Sequence, residues 1–150
     1  MATIESNMSK SNAPVVTPNR AGEVIAQRGF KALKSTEVVV GNIVKLAKLP
    51  AGCVPVDLKI DFDELDSNAS PTTTASFGIL NADGDALDVT AGTLTAEQLG
   101  AGGLQGAIKA DLVRAAATTE DRYIAVILGG TVATAAAGTV GATLTYRARD

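Results

Sequence analysis

Apolar and polar residues alternate most cleanly from Val54 to Asp63. Val54, Val56, Leu58, Ile60 and Phe62 fall on one side of a two-residue period; Pro55, Asp57, Lys59, Asp61 and Asp63 fall on the other. Successive side chains of a strand point to opposite faces, so this spacing predicts a β-strand with one buried and one wet face. Pro55 has no N–H to give to a ladder, which puts the start of the strand at an edge or a bulge. The same period predicts a strand over Thr72–Leu80, with Ala75, Phe77 and Ile79 on one face. It predicts another over Val140–Ala148, with Val140, Ala142, Leu144, Tyr146 and Ala148 inward. Arg122–Leu128 is apolar on both faces, as suits a central strand.

The stretches between are weaker. Val24, Ile25, Phe30 and Leu33 fit no period well, and Gly29 interrupts them, so two short strands are expected near Glu23–Arg28 and Lys31–Lys34. Glu37–Leu49 reads as β with a turn or bulge at Gly41-Asn42. Pro50-Ala51-Gly52 then makes a turn, which suggests that Ile43–Leu49 and Val54–Asp63 form a hairpin-like pair. Asp63–Pro71 reads as a polar loop, Asn81–Asp85 as a tight turn around Asp83-Gly84, and Asp85–Val89 as a short strand or loop edge. Thr95–Leu99 is predicted as a helical turn ended by Gly100, Ala107–Leu112 as a strand, and Gly129–Gly138 as a loop. About eight β-segments at such spacing fit an all-β, antiparallel sandwich of jelly-roll type.

The first 22 residues stand apart. They are rich in Ser, Asn, Thr and Pro, and Pro14 and Pro18 bracket Val15, Val16 and Thr17, which favours extended backbone. The expected organisation is therefore an extended N-terminal arm over residues 1–22 and a β-sandwich domain over 23–150. Met1–Ser11 is polar and reads as lacking the apolar stretch of a secretory signal, and no apolar run approaches the roughly 20 residues that span a bilayer. No membrane partner is expected.

Charge sharpens the contrast between the two parts. Residues 1–50 hold seven Lys/Arg against three Glu, a balance of +4; residues 51–150 hold six against thirteen Asp/Glu, a balance of −7. A basic leading part on an acidic body suggests either that the leading part meets something acidic or that it is a solvated tail carrying some lysines. Lys and Arg are scattered and not interleaved with aromatic residues, so nucleic acid is not an expected partner.

Candidate chemistry is sparse. There is no histidine, which removes Ser-His-Asp and Cys-His catalysis and the usual zinc sites. The lone cysteine, Cys53, forms no intrachain disulfide and reads as a small buried apolar residue. Asp57, Asp61, Asp63, Glu64 and Asp66 form the one carboxylate cluster. Paired carboxylates run glycoside hydrolysis, but the chain has no Trp and 3% aromatic residues to stack a sugar, and a solvated strand face is the expected reading. Asn81, Asp83, Asp85 and Asp88 around Gly84 hint at oxygen ligands for calcium, but the EF-hand spacing fails, and a turn built on Asp-Gly is the expected reading. Gly100, Gly102, Gly103 and Gly106 lack the Lys-Ser/Thr of a phosphate-binding loop and read as a flexible loop. No catalytic residue, metal or cofactor is expected, and the chain is expected not to be an enzyme.

One longer pattern adds to this. Val38-Val39-Val40-Gly41-Asn42 runs through Ile43–Leu49 to Pro50-Ala51-Gly52, then into Val56–Ile60 and Asp63–Asn68. After Phe77–Gly84 it ends in the Ala-, Gly- and Thr-rich strand Gly138–Tyr146. Over residues 38–148 this resembles the jelly-roll cement or decoration proteins of short-tailed bacteriophages. The resemblance implies a non-enzymatic virion structural protein, made in the host cytoplasm and carried on the outer capsid surface. It implies major capsid protein as the partner and self-association as a homodimer or homotrimer. A tail- or fibre-associated β-domain is the alternative within the virion, and a carbohydrate-binding sandwich the alternative outside it. The arm residues expected to contact the partner are Pro14, Val15, Val16, Pro18 and Arg20.

Overall fold

A computed structural model describes the whole chain except Ser11, Pro14, Asn19, Arg20, Ala21 and Asp150. Nine strands occupy Thr3–Glu5 (β1), Val24–Leu33 (β2), Ile43–Leu49 (β3), Cys53–Phe62 (β4), Thr73–Leu80 (β5), Leu87–Leu94 (β6), Gly103–Gly106 (β7), Arg122–Gly130 (β8) and Gly138–Ala148 (β9). Two short helices occupy Ala96–Ala101 (α1) and Asp111–Arg114 (α2). The strands form a five-stranded sheet in the order β1-β3-β8-β5-β6 and a four-stranded sheet in the order β2-β9-β4-β7. Every pairing is antiparallel except β1 with β3. The two sheets face each other as a sandwich of jelly-roll type.

The core lies between the sheets because each brings one apolar face to it. Phe77, Ile79, Ile124, Val126 and Leu128 come from the first sheet, and Leu58, Ile60, Phe62, Leu144 and Tyr146 from the second. The expected alternation of β5 and β9 holds at these positions. So does the central place of β8, which lies between β3 and β5. Its other face meets a smaller cluster of Ile43, Leu80 and Ala125 on the outside of the first sheet, with Tyr123 and Ile127 packed over it.

β4 departs from the expected pattern at one point. A bulge lies between Pro55 and Asp57, where two residues of one strand oppose one of its partner and the faces exchange. Leu58, Ile60 and Phe62 are buried as expected, but before the bulge Cys53 and Pro55 turn inward and Val56 is 37% exposed. Pro55 stands at the irregularity that its missing N–H favours.

The expected hairpin between β3 and β4 does not form. β3 pairs with β8 and β1, whereas β4 pairs with β9 and β7 in the opposite sheet. The Pro50–Gly52 turn, with Gly52 at φ 76°, carries the chain across the core. Two strands whose apolar faces meet across a sandwich belong to different sheets.

Three other expectations are corrected. β2 is one continuous strand, because Gly29 serves close approach: a Cβ there would lie 1.6 Å from the Leu46 carbonyl oxygen. Val38–Val40 is not strand; a 3-10 turn at Ser35–Glu37 leads to a buried Val38 and exposed Val39 and Val40. Ala107–Leu112 is also not strand. The strand is Gly103–Gly106, inside the run read as a flexible loop, and the chain then forms α2 around the buried Leu112. The helical turn after Thr95 is present as α1. Thr95 and Gln98 each take the other's backbone N–H, at 3.3 and 2.8 Å, a capping box. The helix ends at Gly102, not Gly100.

Candidate functional site

The leading segment supplies β1, the edge strand beside β3, and then runs toward β2, the edge strand of the other sheet. Ala2 and Ser6 flank β1 and tie it to β3: the Ile43 N–H donates to the Ala2 carbonyl at 2.9 Å, and the Ser6 N–H to the Lys45 carbonyl at 2.9 Å. Ser6 and Ser9 are buried. The Ser6 hydroxyl donates to the Leu46 carbonyl at 2.7 Å and accepts the Met8 N–H. Asn7 then reaches the other sheet, its side-chain oxygen accepting the Phe30 N–H at 3.2 Å.

Farther on, Val15 packs against the core, Pro18 is buried and Val16 is 66% exposed. The buried Tyr146 hydroxyl donates to the Val16 carbonyl at 2.5 Å. Burial, and the charge of a Cys53 thiolate, push the Tyr146 pKa up to about 12, so the phenol keeps the proton it donates. Of the expected contact residues, the structure thus brings Val15, Val16 and Pro18 together at this end of the sandwich. Pro14 and Arg20 lie outside the described residues.

The carboxylates do not gather into a site. Asp61 forms an ion pair with Arg28 at 2.6 Å. Asp63 accepts the Thr139 N–H at 2.8 Å, and Asp57 accepts the Leu58 N–H at 2.9 Å. Asp66 is fully buried, and sequence pattern alone did not separate it from its solvated neighbours. Its oxygens accept backbone N–H groups of Thr72, Thr73 and Thr134 and the Thr73 hydroxyl, at 3.0 to 3.2 Å. Burial alone raises the pKa of such a carboxyl, but these donors outweigh it and hold the pKa well below the usual carboxylate range.

The Asn81–Asp85 turn is organised by its own side chain. Asn81 Oδ1 accepts the N–H groups of Gly84 and Asp85 at 2.8 and 3.1 Å, and its amide donates to Asp85 at 2.7 Å. Gly84 supplies the positive φ, 75°, that such a turn needs. Among the described residues, no group of three or more His, Cys, Asp or Glu is placed to hold a metal ion.

The outer face of the four-stranded sheet exposes Phe30 and Leu104. Across one row of it Phe30, Gly141, Asp61 and Leu104 stand in register on β2, β9, β4 and β7. The Arg28–Asp61 pair closes over Gly141, and Arg28 also lies 5.2 Å from the centre of the exposed Phe30 ring. Further large apolar side chains stay in water at Val39, Val40, Leu104, Ile108 and Val113. None follows a period that would have marked it in the sequence. What the arrangement offers is surface for another protein: exposed apolar side chains on a rigid β-framework.

Comparison with known proteins agrees with that character. The chain is similar over its full length to a chain of the capsid of Ralstonia phage GP4, with 27% identity, 99% of each chain covered and a TM-score of 0.84. A chain of the cyanophage Pam1 capsid asymmetric unit shares the fold at 20% identity, with 93% of this chain and 96% of that one covered and a TM-score of 0.65. A chain of the acid-stable capsid of Helicobacter pylori bacteriophage KHP30 shares it more distantly, at 14% identity, 83% and 91% coverage and a TM-score of 0.51. Neither a family model nor a curated protein matches the chain. The likeness to the GP4 capsid chain supports a structural role in the virion.

Proposed function

We propose that this chain is a non-enzymatic capsid decoration, or cement, protein that binds the outer surface of the major capsid protein lattice and stabilises the head. The observation that carries the reading is the end-to-end likeness to a chain of the GP4 phage capsid. The outer face around Phe30 and the exposed Val16 supply protein-binding surface on a framework without an assembled carboxylate site. Modest contacts of this kind, repeated in many copies, hold a shell together by multivalency.

The leading segment is the proposed capsid contact, through the exposed Val16 with Pro14 and Arg20 as further proposed contacts, while Val15 and the buried Pro18 seat the segment on the body. Val16 projects outward while its carbonyl is held by Tyr146, so its side chain is displayed in a fixed place. Deleting the whole segment strips β1 and the buried Ser6 and Ser9, so a point change tests the contact better. Val16→Asp is expected to leave the fold intact and weaken attachment to particles.

Purified virions decide the reading. The ratio of this chain to the major capsid protein, measured by gel densitometry, is expected near one for a protein that decorates the lattice. A few copies per hundred reassigns it to the tail, a fibre or a vertex. Complete absence from particles overturns the virion role.

A further inference from the structure

The side of the sandwich where β6 and β7 end their sheets displays one apolar and basic stretch. Leu104, Ile108 and Val113 are 65%, 66% and 56% exposed, and Lys109, Asp111 and Arg114 stand exposed among them. The stretch is anchored. The N–H groups of Ile108 and Lys109 both donate to the Ala91 carbonyl, at 2.9 and 3.0 Å, and Leu112 is fully buried. These side chains are therefore held out by rigid backbone.

The first sheet carries a cleft of complementary character. Its volume is about 330 Å³, and Leu80 and Tyr123 give it an apolar lining. Asp83, Asp88, Glu120 and Asp121 also line it. Two cations line it as well, each held by an uncharged partner. Lys45 lies 4.8 Å from the centre of the Tyr123 ring, and Arg122 donates to the Cys53 carbonyl at 3.4 Å. Four carboxylates face these two cations, so the cleft carries a balance of −2 beside apolar surface, and the displayed stretch, with Lys109 and Arg114 against Asp111, carries +1 beside its apolar side chains.

We propose that these two surfaces meet between copies of this chain, with Ile108 and Val113 of one copy entering the cleft of the next and Lys109 and Arg114 facing its carboxylates. This rests on the decoration reading for its setting and deepens it by naming how copies join. Two different patches meet, so the contact is heterologous, and it closes into a ring when the rotation between copies allows. Facing patches of opposite charge also make association sensitive to salt.

Sedimentation velocity of the full chain tests this. The wild-type chain is expected to self-associate at low ionic strength and to dissociate as salt rises. Lys109→Glu with Arg114→Glu is expected to weaken association about a hundredfold, the scale at which juxtaposed like charges oppose docking. Asp83→Lys with Glu120→Lys is expected to do the same, and all four changes in one chain to restore association. Circular dichroism checks that each variant is folded. A wild-type chain that is monomeric throughout, or an oligomer that ignores both reversals, overturns the proposal. So does a fourfold variant that stays monomeric. Self-association of this kind in a chain missing from virions leaves the contact standing and removes the decoration reading. A chain present in virions but monomeric in solution removes the contact alone.

Discussion

Asp66 accepts both the backbone N–H and the hydroxyl of Thr73, at 3.2 and 3.0 Å. The same carboxylate takes the Thr134 N–H from the far side of the β8–β9 connection, so a single buried charge ties two loops together at one end of the sandwich. Asp66→Ala leaves several buried N–H groups without an acceptor. It is expected to cost roughly 2–4 kcal/mol in chemical denaturation, since each unsatisfied buried group costs about 1–3 kcal/mol before relaxation. The folded pKa is depressed, so the stabilisation is present above the unfolded value, about 4, and is lost as pH falls below it. The wild-type chain should lose stability in acid more steeply than Asp66→Asn, and equal slopes would show that the charge is not what holds the loops.

Gly29 and Gly141 lie in adjoining strands, and substitution should separate them sharply. A Cβ at Gly29 meets the Leu46 backbone at 1.6 Å, whereas at Gly141 it meets the ends of the Arg28 and Asp61 side chains at 2.7 Å. Backbone in a packed sandwich does not yield, so Gly29→Ala should cost about 3 kcal/mol or more. The side chains over Gly141 swing away, and an exposed ion pair is worth at most about 1 kcal/mol. Removing glycine from a strand interior returns about 0.5–1 kcal/mol. Gly141→Ala should therefore change stability by less than about 1 kcal/mol. Comparable losses at the two positions would mean that the sheets approach each other differently.

Periodicity made the interior legible wherever it ran unbroken. Ala75, Phe77 and Ile79, and Val140 through Tyr146, were assigned to the core because their spacing alone encodes their face. It could not show the bulge after Pro55, since Val54 and Val56 keep the period while the backbone slips beneath them. Nor could it distinguish a hairpin from a crossing between sheets, because the turn at Pro50–Gly52 looks the same in either case. Asp66 was illegible for a different reason: its burial depends on donors from Thr72, Thr73 and Thr134, up to 68 residues away. The exposed Ile108 lies in the expected strand Ala107–Leu112 and Val113 just beyond it, and only the fold shows that they face water.

The bulge separates two valine and isoleucine positions that the sequence pattern makes equivalent. Val56 is 37% exposed and Ile60 fully buried. Val56→Lys is expected within about 0.5 kcal/mol of wild type, as for other surface positions. Ile60→Asp places an unpaired charge in the core and is expected to prevent folding. A destabilised Val56→Lys, with loss of the cooperative transition, would restore the unbulged strand.

Tyr146 offers a test at the opposite end of the pH scale. Its folded pKa is raised from 10.0 to about 12, because burial and a Cys53 thiolate both disfavour the phenolate. A group with a raised folded pKa contributes its stabilisation below the unfolded value and loses it as pH rises through the folded one. The wild-type chain should therefore lose stability between about pH 10 and 12, and Tyr146→Phe should flatten that slope. At neutral pH the same variant removes the hydrogen bond to the Val16 carbonyl and should cost about 1 kcal/mol. It should also speed proteolytic cleavage near Val16, since the leading segment loses a bond that holds it against β9. Unchanged cleavage with an unchanged alkaline slope would mean that the segment is held by Val15 and Pro18 packing alone.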